Sequence, residues 1–380
     1  MRIGWDFSQV PPKRDGTFFH LLRWLQAVSA HPGGHSHKLY ATDPFLAAMG
    51  GDLPGFEVES TGTGRGGGLQ VARERYFLEN GKRIGRETDI LLTLWNPPFV
   101  YKGPVVAVLL DALPFLRPGA LGTAKEWMIS LIHARGARRA KAWLCTTGLT
   151  SRTLAEECGF DAGRIFVAGI PLGAEGKAPS PPPGHSALPV ADGFPEGLAH
   201  RPFGFYCAAR SGRKNHARLI RAWRRAFPAN ECRLVLAGRQ IGKLPRDAEE
   251  TLSEGIRAGA VRDLGEVDGA MRDALYRACS FSVYPSLYEG FGMPVLEAIA
   301  AGKGVLVHRG TACEEVGGEA VLACDCTDED ALAWGLKTLA TDGFLQKRLA
   351  QARPGVLARF SGEAVARQIL RALEAAKELP

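Results

Sequence analysis

Forty residues, Phe281 to Ala320 (FSVYPSLYEGFGMPVLEAIAAGKGVLVHRGTACEEVGGEA), constrain this chain more than any other part of it. Phe281 to Tyr284 reads as the end of a buried strand, and Pro285-Ser286 stops it. Gly290 and Gly292 then let backbone approach a ligand closely, and Pro294 suits the first turn of a helix running through Leu296, Glu297, Ile299 and Ala300. A helix N-terminus reached through glycines is an anion site, because its first amides have no intrahelical partner. Glu289 and Glu297 flank that site, and carboxylates repel an anion but accept well from hydroxyls. Phosphate together with many hydroxyls describes a nucleotide sugar.

Two other readings of the glutamates stand beside this one. In the first they are solvated on a surface helix, or sit favourably at its positive end. In the second they are a glycosidase pair. On a single helix their spacing separates the backbones by about 12 Å, beyond the roughly 5 to 9.5 Å of glycosidase carboxyl groups. Side chains and the loop can shorten that gap, so the spacing argues against a glycosidase without closing the question.

The string EGFGMPVLEAIAAGKGVLV resembles the Glu-x7-Glu signature of the retaining glycosyltransferases of family four. RSGRKNHARLIRAW (Arg210 to Trp223) is similar to their basic donor-phosphate segment, RLVLAG to the following strand, and LGEVDGAMRDALYRACSFSVYPS to the base-binding loop with its helix. MRIGWDF, VVAVLLDALPFLRPG and RFSGEAVARQIL also occur in the family's order. The resemblance implies the GT-B fold: two Rossmann-like α/β domains facing across a cleft, with a C-terminal helix crossing back to the first. The expected boundaries are 1–172 for the N-terminal acceptor domain, 173–202 for a Pro-rich connection, 203–359 for the donor domain and 360–380 for the returning helix.

The residues' own pattern agrees with two α/β domains. At 380 residues the chain can bury two full cores, and its 46% hydrophobic and 23% charged content is that of an ordinary globular protein. Strands are expected at Met1–Phe7, His37–Ala41, Phe56–Glu59, Ile90–Leu94, Val105–Leu110, Ala142–Thr146 and Ile165–Ala168. Helices alternate with them near Thr17–Ala30, Leu69–Arg83, Ala124–Ala140 and Ser151–Cys158. Pro171 to Pro202, which includes PSPPPG, reads as the connection. A second alternation runs from Gly204 to about Arg359. Val365, Ile369, Leu370 and Leu373 then recur at helical spacing.

The residues themselves assign Arg213 and Lys214, after an expected strand Phe205–Ala208, either to a diphosphate or to a solvated basic turn. The resemblance implies the first. It also implies that Glu289 takes hydroxyls of the transferred sugar, that Gly290, Phe291, Gly292 and Met293 line sugar and phosphate, and that Glu297 holds the ribose. Val267 would sit beside the base, and Gly16 and Thr17 would allow close approach in the first loop. Where many relatives carry a histidine directly before an aspartate, this chain has Leu110 followed by Asp111. Asp111 has two readings, contact with sugar or acceptor and bracing of the loop Ala112 to Pro118, and the helix-borne His133 reads as a surface residue. The family's chemistry needs no protein nucleophile and no metal or other cofactor. Asp328-Glu329-Asp330 precedes an apolar-periodic helix, where acids suit the N-terminus.

The net charge of +7 favours an anionic partner. The expected partners are a nucleotide-sugar donor, UDP- or GDP-linked, and a glycan or glycolipid acceptor; the LLDALPFLRP segment resembles relatives that use GDP-mannose or similar donors. Lys13, Arg14, Phe18, Phe19, Arg23 and Trp24, and again Lys125, Trp127, Arg135, Arg138, Arg139 and Lys141, mix basic and apolar residues. They read equally as amphipathic core helices and as peripheral contacts with an anionic membrane. No stacking motif supports nucleic acid. GTGRGG (Gly62 to Gly67) fits GxGxxG but is not the first strand-to-helix turn, so it reads as a loop with Arg65 toward an anionic acceptor. MRIGWDFSQVPPKRDG has no apolar h-region, and the eight cysteines show no zinc spacing, Cys324 and Cys326 included. The expectation is a cytoplasmic protein with reduced thiols.

Overall fold

The computed structural model describes residues 1–13, 15–64, 68–116, 134–173, 194–195, 197–198, 201–240 and 245–380. It divides into two compact units, Met1–Gly173 with Phe360–Pro380, and Ala174–Arg359. Arg14, Arg65, Lys125, Trp127, His133 and most of the Pro-rich stretch lie outside the described residues.

In the first unit, β1 (Arg2–Asp6), β2 (Ser36–Ala41), β3 (Phe56–Ser60), β4 (Ile90–Leu94), β5 (Val105–Leu109), β6 (Ala142–Cys145) and β7 (Ile165–Val167) form a sheet in the order β3-β2-β1-β4-β5-β6-β7. Every neighbouring pair is parallel. Such a sheet must be covered on both faces, which is why every residue of β4, β5 and β6 is buried and why these strands read as unbroken apolar runs. In the second unit, β8 (Phe203–Cys207), β9 (Arg233–Ala237), β10 (Val261–Asp263), β11 (Phe281–Tyr284), β12 (Val305–His308) and β13 (Val321–Cys324) form a parallel sheet in the order β10-β9-β8-β11-β12-β13. Chain order reverses beside β1 and beside β8. Each unit therefore has a switch point, between β1 and β4 and between β8 and β11, where strand ends open onto a crevice.

Two differences from the expected elements have local causes. A helix over Asp43–Met49 was not anticipated, although Thr42 caps it by accepting from Phe45 N, Pro44 occupies its first turn and Gly50 ends it at φ 73°. The helix Leu69–Glu87 runs a turn beyond Arg83, whose guanidinium pairs with Glu59 (2.5 Å) and Glu87 (2.9 Å).

At the switch point of the first sheet lies an ion pair that no motif announced. Arg73 and Asp6 have fully buried side chains, with Nε 2.7 Å from Oδ2. Arg73 also donates to Thr93 Oγ1 (2.9 Å) and Asn96 O (2.8 Å), while Asp6 accepts from Ser8 Oγ (2.5 Å). These bonds tie together the segments that follow β1 and β4.

The last helix, Gly362–Glu378, belongs to the first unit and packs on Gly16–Ala30 through Val365, Ile369, Leu370 and Leu373. Ser361 caps it, and Gln368 Oε1 accepts from Gly169 N at 3.0 Å. Leu373 is fully buried and Arg371 on the same helix is exposed. Leu373→Ala is therefore expected to cost about 2–5 kcal/mol in urea unfolding, and Arg371→Ala less than about 0.5 kcal/mol. Equal effects would mean that the helix does not belong to the first unit's core.

Candidate functional site

The site in the second unit is built at the switch point, from the loops after β8 and β11. After β8 the chain makes a turn of 3-10 helix, Gly212–Lys214, and passes through Asn215 in the left-handed region (φ 59°) before the helix His216–Ala226. Asparagine tolerates that conformation better than most residues. Its side chain holds it there by donating to Cys326 O (2.8 Å) and Pro285 O (3.4 Å).

This geometry aims Lys214 inward, where it is 7% exposed. Its Nζ donates to Tyr284 Oη (2.7 Å) and to the Glu289 carboxylate, and lies 4.9 Å from the centre of the Tyr284 ring. Tyr206 Oη donates to the Lys214 carbonyl at 2.7 Å. Arg213 stays half exposed, with Nη1 3.0 Å from Tyr288 O and 3.5 Å from Glu289 Oε2. Ser286 Oγ donates to Glu289 Oε1 at 2.5 Å. Burial presses the Lys214 amine below the ordinary lysine range, and the Glu289 charge opposes that shift. Burial and then the same carboxylate push the Tyr284 hydroxyl well above the usual tyrosine value.

The structure thus brings Arg213, Lys214 and Glu289 into one cluster. Sequence reasoning missed Tyr284, Ser286 and Tyr206, the groups that fix it. The Ser-x-x-Glu spacing from Ser286 to Glu289 was the one signal available, since it puts a hydroxyl and a carboxylate three residues apart in one loop.

Past Glu289, Gly292 takes φ 103° and opens the helix Met293–Ala300, with Pro294 in the first turn. A Cβ at Gly292 would lie 2.8 Å from Cys313 Sγ, so protein packing demands this glycine as well as any ligand. Phe291 and Met293 are buried on either side of it. Glu297 stands in this helix, its Oε2 3.9 Å from Arg272 Nε. Burial, and secondarily the Glu297 charge, raise the Cys207 thiol to about 12.

Val267 is half buried in the loop between β10 and the helix Gly269–Ala278, which Asp268 caps by accepting from Met271 N (2.7 Å). Asp263 braces that loop, accepting from Gly265 N (3.0 Å) and from the buried Arg210 (2.8 Å). Asp328 caps the helix Glu329–Thr341, while Glu329 and Asp330 pair with Arg221 and Arg225.

Gly16, Thr17 and Asp111 lie in the first unit. Gly16 begins the helix Gly16–Ala30 with nothing within 4 Å of a Cβ position, so the fold does not require glycine there. The Asp111 carboxylate accepts from Leu113 N (3.0 Å), which is the bracing contact. Leu110 is part of the apolar core.

Residues 202–342 match the sequence family described as glycosyl transferases group 1. That match falls within the second unit. The chain is similar to the O-antigen chain mannosyltransferase B of Escherichia coli, 33% identical over 192 residues, which are 49% of this chain and 48% of that protein. The matched stretch therefore spans about half the length of that relative. The whole fold is similar to HepE of Anabaena, solved with UDP and glucose, at a TM-score of 0.71 and 18% identity over 99% of this chain and 100% of that one. It is also similar to WaaG, a glycosyltransferase involved in lipopolysaccharide biosynthesis, at a TM-score of 0.67 and 15% identity over 98% and 99%. With two doubly wound parallel units, the architecture is GT-B. Within the matched residues, the cluster of Lys214, Arg213 and Glu289 occupies the switch point where α/β sheets bind ligands.

Beside the cluster, burial first and then Arg210 and Lys214 hold His216 down at about 3, against an ordinary 6.5. The folded protein keeps this imidazole neutral while the unfolded chain takes up a proton below pH 6.5, so stability is lost as the pH falls from 6.5 toward 3. Replacing it should flatten the pH dependence of unfolding between pH 6 and 4 by up to about 1.4 kcal/mol per pH unit. Urea titrations of wild type and His216→Phe measure this, and parallel slopes would exclude a buried neutral His216.

Proposed function

We propose that this chain moves a hexosyl unit from a nucleotide diphosphate sugar to a glycan or lipid-linked saccharide in polysaccharide or glycolipid biosynthesis, with retention and without a metal. The observation that carries the proposal is the grip of Lys214, Arg213 and Ser286 on Glu289, next to the N-terminus of the helix Met293–Ala300. Two cations, one of them desolvated, meet the diphosphate and stabilise the charge that grows on it as the glycosidic bond breaks. Glu289, already held in place, accepts from hydroxyls of the transferred sugar. Gly290, Phe291, Gly292 and Met293 line sugar and phosphate, Glu297 takes the ribose hydroxyls and Val267 lies along the base. Gly16 and Thr17 leave room for close approach, and Asp111 positions its loop beside the sugar or acceptor.

Attack comes on the face from which the diphosphate leaves, with a donor phosphate oxygen taking the acceptor's proton. In this reading Arg213 and Lys214 supply the positive charge that a metal would otherwise bring to the diphosphate. UDP and glucose in HepE, and the mannosyl activity in the name of the Escherichia coli relative, support a nucleotide-linked hexose and leave UDP and GDP both in play. No helix among the described residues is long and apolar enough to cross a membrane. A cytoplasmic enzyme that reaches a lipid-linked acceptor through basic residues such as Arg23, Arg135 and Lys141 fits that finding.

A thermal-shift panel of UDP, GDP and their sugars should show stabilisation by one base, lost in Glu297→Ala; no shift with either base would sink the donor assignment. With the donor known, Lys214→Met is expected to lower kcat/KM by about 100-fold or more, and a chelator should leave the rate unchanged. A rate abolished by chelation and restored by a divalent cation would overturn metal independence.

One observation favours a second reading, a nucleotide-binding scaffold impaired in catalysis: Leu110, in the place of the relatives' histidine, is buried in the apolar core. Turnover of the bound donor by wild type, even slow hydrolysis with its anomeric product mapped, would exclude that reading.

A further inference from the structure

The Cys-Asp-Cys turn that closes the second sheet has no part in the chemistry above. Cys324 ends β13 in register with His308, and its carbonyl accepts from Arg309 N at 2.9 Å. Asp325 turns the chain by accepting from Thr327 N (2.8 Å) and Oγ1 (2.6 Å). Cys326 is thereby folded back and fully buried, its Sγ 3.8 Å from that of Cys324. A disulfide would bring the two sulfurs to about 2.0 Å.

The two thiols differ. A hydrogen bond from Cys326 holds the Cys324 thiol below its ordinary value, with Arg309 helping, and the same bond with burial pushes Cys326 up. Cys324 is also the less buried of the two. An attacking thiolate beside a resolving thiol is the arrangement that peroxide-sensing cysteines use.

What makes the pair consequential is the backbone of Cys326. Its N–H donates to His308 Nδ1 (3.1 Å), and its carbonyl accepts from Asn215 Nδ2 (2.8 Å). Asn215 is the left-handed residue directly after Lys214. The sheet ladder holds Cys324, so any backbone shift that closes the gap between the sulfurs falls on Cys326 and draws on Asn215.

We propose that Cys324 and Cys326 are an oxidation site for hydrogen peroxide and small hydroperoxides, whose disulfide releases Asn215 and loosens the Lys214–Glu289 pair; its effect on nucleotide binding rests on the donor reading above. The Cys324 thiolate attacks one peroxide oxygen, the O–O bond breaks, and the leaving hydroxide takes a proton to become water. Cys326 then attacks the sulfenic sulfur and gives up its proton, the S–S bond forms, and the S–O bond breaks to release a second water. Two thiols supply two electrons and two protons; hydrogen peroxide becomes two waters, and a hydroperoxide, whose leaving alkoxide takes the proton instead, becomes an alcohol and one water.

The test treats the full chain with hydrogen peroxide, maps its peptides by mass, and follows hydrogen exchange at amides 213–216. The Lys214 and Asn215 amides bond to Ser211 O and Gly212 O in the closed turn, so exchange there reports its integrity. The expected result is a peptide lighter by two hydrogens with Cys324 joined to Cys326, and faster exchange at those amides. Binding of UDP or GDP should weaken by about tenfold, the loss of roughly one good hydrogen bond. A thiol reductant should reverse all of this, and Cys324→Ser and Cys326→Ala should show none of it. Absence of the disulfide, or a disulfide that leaves exchange unchanged, overturns the proposal. If the reduced protein binds neither nucleotide, the donor reading falls, and the exchange measurement still decides the fate of the dithiol.

Discussion

A parallel sheet cannot be joined by hairpins. Each strand must be returned across a face by a crossover, and once both faces are covered by helices the only places left for polar chemistry are the strand ends. Both units of this chain obey that constraint. The first uses its switch point for Asp6 and Arg73, and the second uses its own for Lys214 and Glu289. Asp6 is the last residue of β1 and Lys214 lies in the loop after β8, so each pair sits where a strand ends and neighbouring polar groups offset its desolvation.

The two ion pairs do different work. Asp6 and Arg73 are held by Ser8, Thr93 and the Asn96 carbonyl, and their side chains have no exposed surface; Arg73 Nη1 makes no hydrogen bond and lies 3.6 Å from Glu74 Oε1. A buried pair of that kind contributes little net stability over an apolar substitute but holds two segments in one register. Lys214 and Glu289 are gripped as firmly, yet Arg213 beside them remains half exposed. A desolvated ammonium next to a reachable guanidinium is suited to an arriving anion, since low dielectric strengthens the first and exposure admits the ligand to the second.

Much of this was legible along the chain. Ten of the thirteen described strands were named in advance, most plainly where the apolar runs are strong, as in Ile90–Leu94 and Val105–Leu109, whose every residue is buried; the short β10, β12 and β13 were not. The short helix Asp43–Met49 escaped notice although Thr42 and Pro44 marked it, because about two turns are too few to show a period. Arg213, Lys214, Glu289, Gly292 and Glu297 could be named because each sits within a few residues of a strand end or helix start. Gly292 could not be fully explained from sequence, since the Cys313 sulfur that crowds it is brought there by the fold.

By itself the sequence determined the two parallel α/β units, a last helix with one apolar face, and the short segments that bear the site, because hydrophobic period and Gly/Pro punctuation act over a few residues; the return of that helix to the first unit was implied only by the family resemblance. Only the tertiary structure decided that Ser286 and Tyr284 hold the cluster, that Asp111 braces its loop, that Arg73 reaches Asp6, and that Asn215 joins the Cys324–Cys326 turn to Lys214. Apart from the local bonds Ser286–Glu289 and Asp111–Leu113, those contacts link residues on separate segments. Such distances are set by how strands are ordered in a sheet, which no local pattern encodes.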